Sequence, residues 1–316
     1  FSVSIITRGN LRTSIERPAQ DLTIYRTPYL PIYPFNLKFS SYFIKKIVKE
    51  LDDEIDLINI HSPGPMFIET NLPLVSTVHI SLRHAIQSTH SHDLESKVTK
   101  LISPAYIDME DRLIRNSKVI SAVSKSIASR INNNFPDRKI KIIGNGVDTK
   151  VFLPKNDNDI PDPDYLLYTG RLHLNKGILD LIDAYFLISK VYPELKLIIT
   201  GKGSFEKTIR ERINKYKLGN VSFAGMVPLD KLIRLYQNAS IYILPSYFEG
   251  LPTSLLEAMS CGSPCIATQV DGSNDIIEDG KNGLLVPPRR PDLIAKKIEF
   301  LLENSKLRRD FGKNAR

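Results

Sequence analysis

Cysteine is nearly missing from this chain of 316 residues, which carries only Cys261 and Cys265. One i, i+4 pair cannot build a disulfide framework, and it lacks the second pair that a structural zinc site needs. Both are expected as buried thiols, since Cys behaves as a small hydrophobe, and a reducing compartment suits them. Long apolar runs are missing too: none reaches the roughly 18 residues that a membrane-spanning helix requires. No signal or transit peptide is visible and there is no initiating Met. The chain opens in a strand-like run, Ser2-Val3-Ser4-Ile5-Ile6-Thr7, and stops at Arg316 in a helix-like one, so both ends are expected to be cut.

What is present is the balance of a globular enzyme, 42% hydrophobic and 25% charged residues. The length suffices for two domains of about 100–200 residues each. Lys and Arg number 43 against 35 Asp and Glu, a net charge of +8. That excess favours an anionic partner: nucleic acid, a phosphate-bearing substrate or an acidic membrane surface. The cations are scattered, and short clusters such as Arg138, Lys139 and Lys141 read as solvated faces.

Short apolar runs alternate with amphipathic stretches. Strands are predicted at Ile5-Ile6, 23–25, 56–60, 74–78, 118–123 and 139–143. Phe43, Ile44, Ile47, Val48 and Leu51 recur at helical spacing, with Lys45, Lys46 and Lys49 between them. Further helices are expected near 105–116 and over 124–132, the second capped by Ser124. A connector holds Pro28, Pro31 and Pro34, and the polar, proline-rich stretch Pro154 to Asp164 reads as a hinge between domains 1–152 and 153–316. The rhythm then restarts, with strands at 165–168, 195–200, 221–224, 240–244 and 264–268. Helices lie between and after them at 179–191, 205–217, 229–238, 253–260 and 292–303. Such alternation predicts two open α/β domains with parallel sheets and right-handed crossovers. Ligands of such domains bind at the carboxyl ends of the strands.

Three junctions in the second half share one design. In Gly170-Arg171-Leu172-His173-Leu174-Asn175-Lys176-Gly177 a strand ends on a glycine, which lets backbone approach a ligand, followed by an Arg fork and a Lys point charge suited to a diphosphate. Gly201-Lys202-Gly203 ends another strand, without the third glycine of a dinucleotide fingerprint. After Leu244, a loop carries Glu249-Gly250 and a helix opens near Pro252 or Thr253, where free N–H groups and the positive dipole end suit an anion. Glu249 lies in the loop and Glu257 inside the helix, so the two can contact different parts of one ligand. A carboxylate accepts two hydrogen bonds from a vicinal diol, as in a sugar or ribose.

Glu249 and Glu257, with seven residues between them in FEGLPTSLLEAMSCGSPCIAT, resemble the signature of family 4 glycosyltransferases, retaining enzymes of the GT-B fold. The resemblance extends to IGNGVDTKVFLP (143–154), GRLHLNKG (170–177), the Gly-Lys-Gly turn, NVSFAGMVP (220–228) and NGLLVPP (282–288). It implies two Rossmann-like domains of parallel sheet facing across a cleft, the first on the acceptor side and the second binding the nucleotide sugar. By this resemblance Arg171 and Lys176 bind the donor diphosphate and stabilise charge on the leaving nucleotide. Glu257 holds the ribose hydroxyls and Glu249 lies near the donor sugar. Gly170, Gly201 and the backbone of Gly250, Leu251, Pro252, Thr253 and Ser254 receive the donor, and Met226 and Val227 lie where its base packs. In the first domain Thr77-Val78-His79-Ile80-Ser81 resembles the active-site histidine segment, which puts His79 at the reaction centre. The family's glycine-rich loop is absent, so the first domain is expected to lack its first strand. Val270-Asp271-Gly272-Ser273-Asn274-Asp275 replaces the usual Gly-Gly-x-Pro-Glu order, so Asp275 is not given that Glu's role.

The implied reaction moves a sugar from a nucleotide-diphosphate donor to an acceptor hydroxyl with retention, with no cofactor required. The implied acceptor is a sugar, a sugar phosphate or a lipid-linked sugar, not nucleic acid. The expected location is cytoplasmic, with a peripheral seat on the anionic inner membrane face left open. The competing reading is a catalytically silent binding protein for a nucleotide sugar or polyanion. His61 is expected as a hydrogen-bonded structural residue. His84, His90 and His92 read as loop histidines rather than metal ligands, and the acidic stretch Asp157 to Asp164 resembles no metal loop.

Overall fold

The computed structural model describes residues 2–9, 12–28, 36–62, 68, 70–88, 94–155 and 165–316. The segment 156–164, which holds most of the expected hinge, lies outside them, as do Pro31, Pro34, His90 and His92. The chain divides into two compact units, Phe1–Val123 with Ile127–Ile143, and Ser124–Ser126 with Gly144–Arg316.

The first unit runs β1 (Val3–Arg8), β2 (Ser14–Ala19), β3 (Leu22–Thr27), α1 (Asn36–Glu50), β4 (Ile58–Ser62), β5 (Leu74–Val78), α2 (Leu82–Ser88), α3 (Leu94–Asn116), β6 (Val119–Ala122), α4 (Lys125–Asn134) and β7 (Ile140–Ile142). β1 and β2 flank β3, the first parallel and the second antiparallel to it. The parallel-only expectation fails here. Ala19 pairs with Leu22, closing a tight hairpin. β2 is exposed along its whole length, so its sequence carries no apolar alternation to read. Strands β4, β5, β6 and β7 form a parallel sheet in sequence order. Val78, Ile120 and Ala122 pack with Ile114 of α3 and Ile127 and Ile131 of α4, while Ile44 and Val48 of α1 meet Ile60 and Leu74. Helix α3 starts well before the expected 105, because Pro104 lies inside it and reads in sequence as a helix boundary.

The second unit runs β8 (Tyr165–Thr169), α5 (Ile178–Ile188), β9 (Lys196–Thr200), α6 (Glu206–Tyr216), β10 (Val221–Gly225), α7 (Leu229–Asn238), β11 (Ile241–Leu244), α8 (Thr253–Ser260), β12 (Cys265–Thr268), α9 (Asp271–Ile276), β13 (Leu284–Val286), α10 (Pro291–Glu303) and α11 (Ser305–Asn314). Its sheet is wholly parallel, in the order β10-β9-β8-β11-β12-β13. This is a doubly wound sheet whose strand order reverses between β8 and β11, the position where such sheets open a ligand crevice. Alternate residues of each strand feed two cores. Leu166 and Tyr168 join α5, α6 and α10 on one face. Tyr165 and Leu167 join Tyr236 of α7 and Leu255 and Met259 of α8 on the other. Cys261 and Cys265 are free and buried, and desolvation pushes the Cys261 thiol up to about 12. No helix among the described residues is long and apolar enough to cross a membrane.

Candidate active site

The reversal between β8 and β11 is where the sequence motifs of the second unit converge. Past β8 the chain makes a 3-10 turn, Leu174–Lys176, capped by His173, whose ring accepts from the Asn175 N–H. Gly177 ends the turn at φ 61°, and a Cβ there would sit 1.9 Å from the Pro245 carbonyl oxygen. Only glycine combines this left-handed backbone with so close an approach. The turn is thereby laid against the loop that leaves β11, and Tyr247 donates its N–H to the Asn175 carbonyl at 2.9 Å. Gly201, at φ 111°, repeats the device one strand over, where a Cβ would meet the Gly170 carbonyl oxygen at 1.9 Å.

That contact brings two opposite charges together. Lys176 Nζ donates to Glu249 Oε1 at 2.6 Å, with the two side chains 16% and 9% exposed. Ser246 Oγ donates to the same oxygen at 2.6 Å. Glu249 Oε2 takes no hydrogen bond among the described residues, and an ammonium carries three donors, so both groups keep capacity for a ligand. The loop is fixed from behind: Thr268 Oγ1 donates to the Ser246 carbonyl, Gly272 N–H to the Glu249 carbonyl at 3.2 Å, and Asn145 Nδ2 to the Leu251 carbonyl at 2.8 Å. Arg171 is exposed and forms no ion pair among the described residues.

Helix α8 starts behind Pro252, which supplies no side-chain cap. The N–H groups of its first turn are therefore not taken by a side-chain cap. On the inner face of this helix Glu257 Oε2 accepts from Tyr236 Oη at 2.9 Å, and Tyr236 Oη lies 2.7 Å from Thr169 Oγ1. Tyr242 Oη donates to Ser254 Oγ at 2.9 Å. Burial raises the Glu257 carboxyl above its ordinary range, and the Tyr236 hydrogen bond works against that shift. Desolvation, first of all, raises the phenols of Tyr168, Tyr236 and Tyr242, so these act as hydroxyl donors. Met226 and Val227 follow β10, beside the Gly201 turn whose N–H donates to the Gly225 carbonyl at 2.7 Å. Met226 is exposed and Val227 half-buried.

In the first unit, His79 follows β5 and donates its N–H to the Ser62 carbonyl at 3.1 Å. Its ring meets that of His61 edge to edge, with centroids 5.1 Å apart and planes 24° from parallel. Burial, and then the neighbouring His61, lower its tendency to take a proton. Glu110 of α3, which the sequence reading passed over, is buried nearby. It accepts from Ser62 Oγ at 3.1 Å and from the Leu82 N–H at 3.2 Å, and burial pushes its carboxyl up to about 7. The sequence signal was slight: one acid beside the buried Leu113 and Ile114 of a helix otherwise laced with charges.

The family of glycosyl transferases group 1 matches residues 152–316, and that of glycosyltransferase family 4 matches residues 1–151. The chain is a group 1 glycosyltransferase. An uncharacterized glycosyltransferase of Methanocaldococcus jannaschii is 29% identical over 94% of the chain and 79% of that relative. Among solved structures, sucrose-phosphate synthase from Thermosynechococcus elongatus aligns with a TM-score of 0.87 at 22% identity, covering 99% of the chain and 82% of its own. Anabaena HepE in complex with UDP and glucose aligns with a TM-score of 0.67 at 19% identity, covering 93% and 80%. The fold is GT-B, and the protein is a transferase.

Within this glycosyltransferase the second unit gathers Gly170, Lys176, Gly201, Glu249, Gly250 to Ser254 and Glu257 around the carboxyl ends of β8, β9 and β11. His79 stands at the matching end of β5 in the other unit. His61, read as a structural histidine, is hydrogen-bonded, and its partner is His79. Ser246, Tyr236, Thr169 and Gly272 escaped the sequence reading. Ser246 acts within its own loop, three residues from Glu249, whereas Tyr236, Thr169 and Gly272 act through contacts between segments far apart in the chain, and Gly272 is required because a Cβ would lie 2.4 Å from the Gly250 carbonyl oxygen.

Proposed function

We propose that this glycosyltransferase moves a sugar from a nucleotide-diphosphate donor to an acceptor hydroxyl with retention of configuration. The observation that carries the reading is the division of labour within each carboxylate. Glu249 Oε1 is committed to Lys176 and Ser246, and Glu257 Oε2 to Tyr236. Each keeps one oxygen for a ligand hydroxyl: Glu249 for the donor sugar, Glu257 for the ribose diol. Lys176 and Arg171 supply cationic donors to the diphosphate, with the uncapped start of α8 adding backbone N–H groups.

In the reaction the bond between the anomeric carbon and the phosphate oxygen breaks, leaving an oxocarbenium-like sugar. The acceptor oxygen attacks from the same face, and its proton passes to the departing phosphate oxygen. Lys176 and Arg171 stabilise the negative charge that develops on that phosphate, the largest electrostatic demand of the step. We assign His79 of the acceptor-side domain 1–152 to the transferred sugar, and donor binding to domain 153–316. Met226 and Val227 face the base. The donor is a UDP- or GDP-sugar. HepE supports UDP, since it was solved with UDP and glucose. The acceptor is a sugar, sugar phosphate or lipid-linked sugar. The location we propose is cytoplasmic, and the further proposal of peripheral contact to an anionic membrane is supported by α1, which exposes Phe39, Tyr42, Lys45, Lys46 and Lys49.

The test is thermal stability against UDP-, GDP- and ADP-sugars, with the free nucleotides as controls. Selective stabilisation that disappears in Glu257→Ala supports the nucleotide pocket and identifies the base. No shift with any donor overturns the donor assignment.

A further inference from the structure

A row of polar side chains crosses the parallel sheet of the first unit and ends on His79. Alternation along β4 puts Asn59 and His61 on one face while Ile60 and Ser62 turn inward. The register sets His61 beside Thr77 and Thr77 beside Ser121. Ser121 Oγ lies 2.9 Å from Thr77 Oγ1, which donates to Asn59 Oδ1 at 3.1 Å. Asn59 Nδ2 lies 3.3 Å from His61 Nε2, and His61 Nδ1 lies 2.8 Å from His79 Nε2.

These contacts have a direction. An amide nitrogen only donates, so His61 Nε2 accepts and carries no proton. A neutral His61 then has its proton on Nδ1 and donates it to His79 Nε2. His79 Nε2 is likewise bare, and a neutral His79 holds its proton on Nδ1, which no group among the described residues engages. The opposite amide orientation would reverse every proton in the row. Its last bond would then run from Ser121 Oγ to the Ser76 carbonyl at 3.4 Å, beyond the usual hydrogen-bond range.

We propose that Asn59 and His61 are positioning residues that lock His79 as the Nδ1–H tautomer, so that His79 serves the transferred sugar as a hydrogen-bond donor to one of its oxygens and not as a base. The role toward the sugar rests on the proposed function; the tautomer does not. The chemistry recognised is an oxygen lone pair, which a sugar hydroxyl offers on several carbons.

The test is long-range proton–nitrogen correlation NMR on the 15N-labelled full chain at about pH 8, above the ordinary histidine range. His79 is assigned by its loss in His79→Ala. The expected result is a pyrrole-like Nδ1 and a pyridine-like Nε2 for His79. In Asn59→Ala, a substitution at an exposed position, these signals should move towards averaged values as the lock is released. In parallel kcat should fall about tenfold, the effect of one lost hydrogen bond in the transition state, with the donor KM little changed. A wild-type His79 protonated at Nε2, averaged signals in the wild type, or a tautomer unmoved by Asn59→Ala would each overturn the proposal. If the tautomer is as stated while a folded His79→Ala keeps full turnover, the reading of His79 at the reaction centre fails and the lock stands.

Discussion

Replacing Tyr236 by Phe removes one hydroxyl from a side chain that is 0% exposed and leaves its packing intact. That hydroxyl donates to Glu257 Oε2 at 2.9 Å and is shared with Thr169 Oγ1 at 2.7 Å. A hydrogen bond to a charged group contributes about 1.5–3 kcal/mol. Two consequences follow for nucleotide binding. The carboxylate loses the contact that fixes its rotamer, so affinity at neutral pH should fall about tenfold. Tyr236 also works against the burial that raises the Glu257 carboxyl, so in the variant that carboxyl protonates at a higher pH than in the wild type. The affinity gap between the two proteins should therefore widen as pH falls from neutral, and close again once Glu257 is protonated in both. Titration calorimetry with a nucleoside diphosphate across this range reads both effects. Glu257→Gln provides the background in which Tyr236→Phe should change little, a coupling of about 1.4 kcal/mol in the double-mutant cycle, the tenfold loss itself. A folded Tyr236→Phe protein with wild-type affinity and the wild-type pH profile would refute the argument that Tyr236 readies Glu257 for the ribose.

Lys176→Ala should lower turnover tenfold or more with the fold preserved, since a cationic contact to the leaving phosphate is worth roughly 2–4 kcal/mol in the transition state; steady-state kinetics and circular dichroism check it together. Gly177→Ala should destabilise the protein by about 2 kcal/mol or more and weaken nucleotide binding, because the added Cβ would lie 1.9 Å from the Pro245 carbonyl oxygen at φ 61°. Thermal melts and calorimetry measure both effects. Glu110 bears on pH. Its folded carboxyl is raised to about 7 from 4.5, so its contribution to stability is fully present below about pH 4.5 and is lost as pH rises through about 7. Glu110→Gln should remove that dependence, worth about 3 kcal/mol across the window, and urea unfolding of the wild type and the variant at both ends of it decides the matter.

The parts of the site legible in sequence are those in which neighbouring residues in the chain do the work. A glycine after a strand, a cation some residues on, and two glutamates spaced along a loop and a helix are all local, and the donor site proposed for the second unit assembles from such pieces. Its core strands could also be read, because each is apolar on both faces and stands between amphipathic helices. The hairpin of β2 with β3 could not be read, since β2 buries no face. The two hydrogen-bond rows that finish the site were hidden for another reason. Tyr236 reaches Glu257 from a different helix, and Asn59, Thr77 and Ser121 meet only because three strands pair in one register. In sequence each is an unremarkable polar residue. A slip of one residue in either strand pair would turn Thr77 away from its partners and leave His79 free to exchange tautomers. The histidine singled out by the resemblance is thus only half specified by its own motif: the segment around His79 sets where the ring sits, and in the lock proposed above the pairing of β5 with β4 and with β6 sets which nitrogen carries the proton.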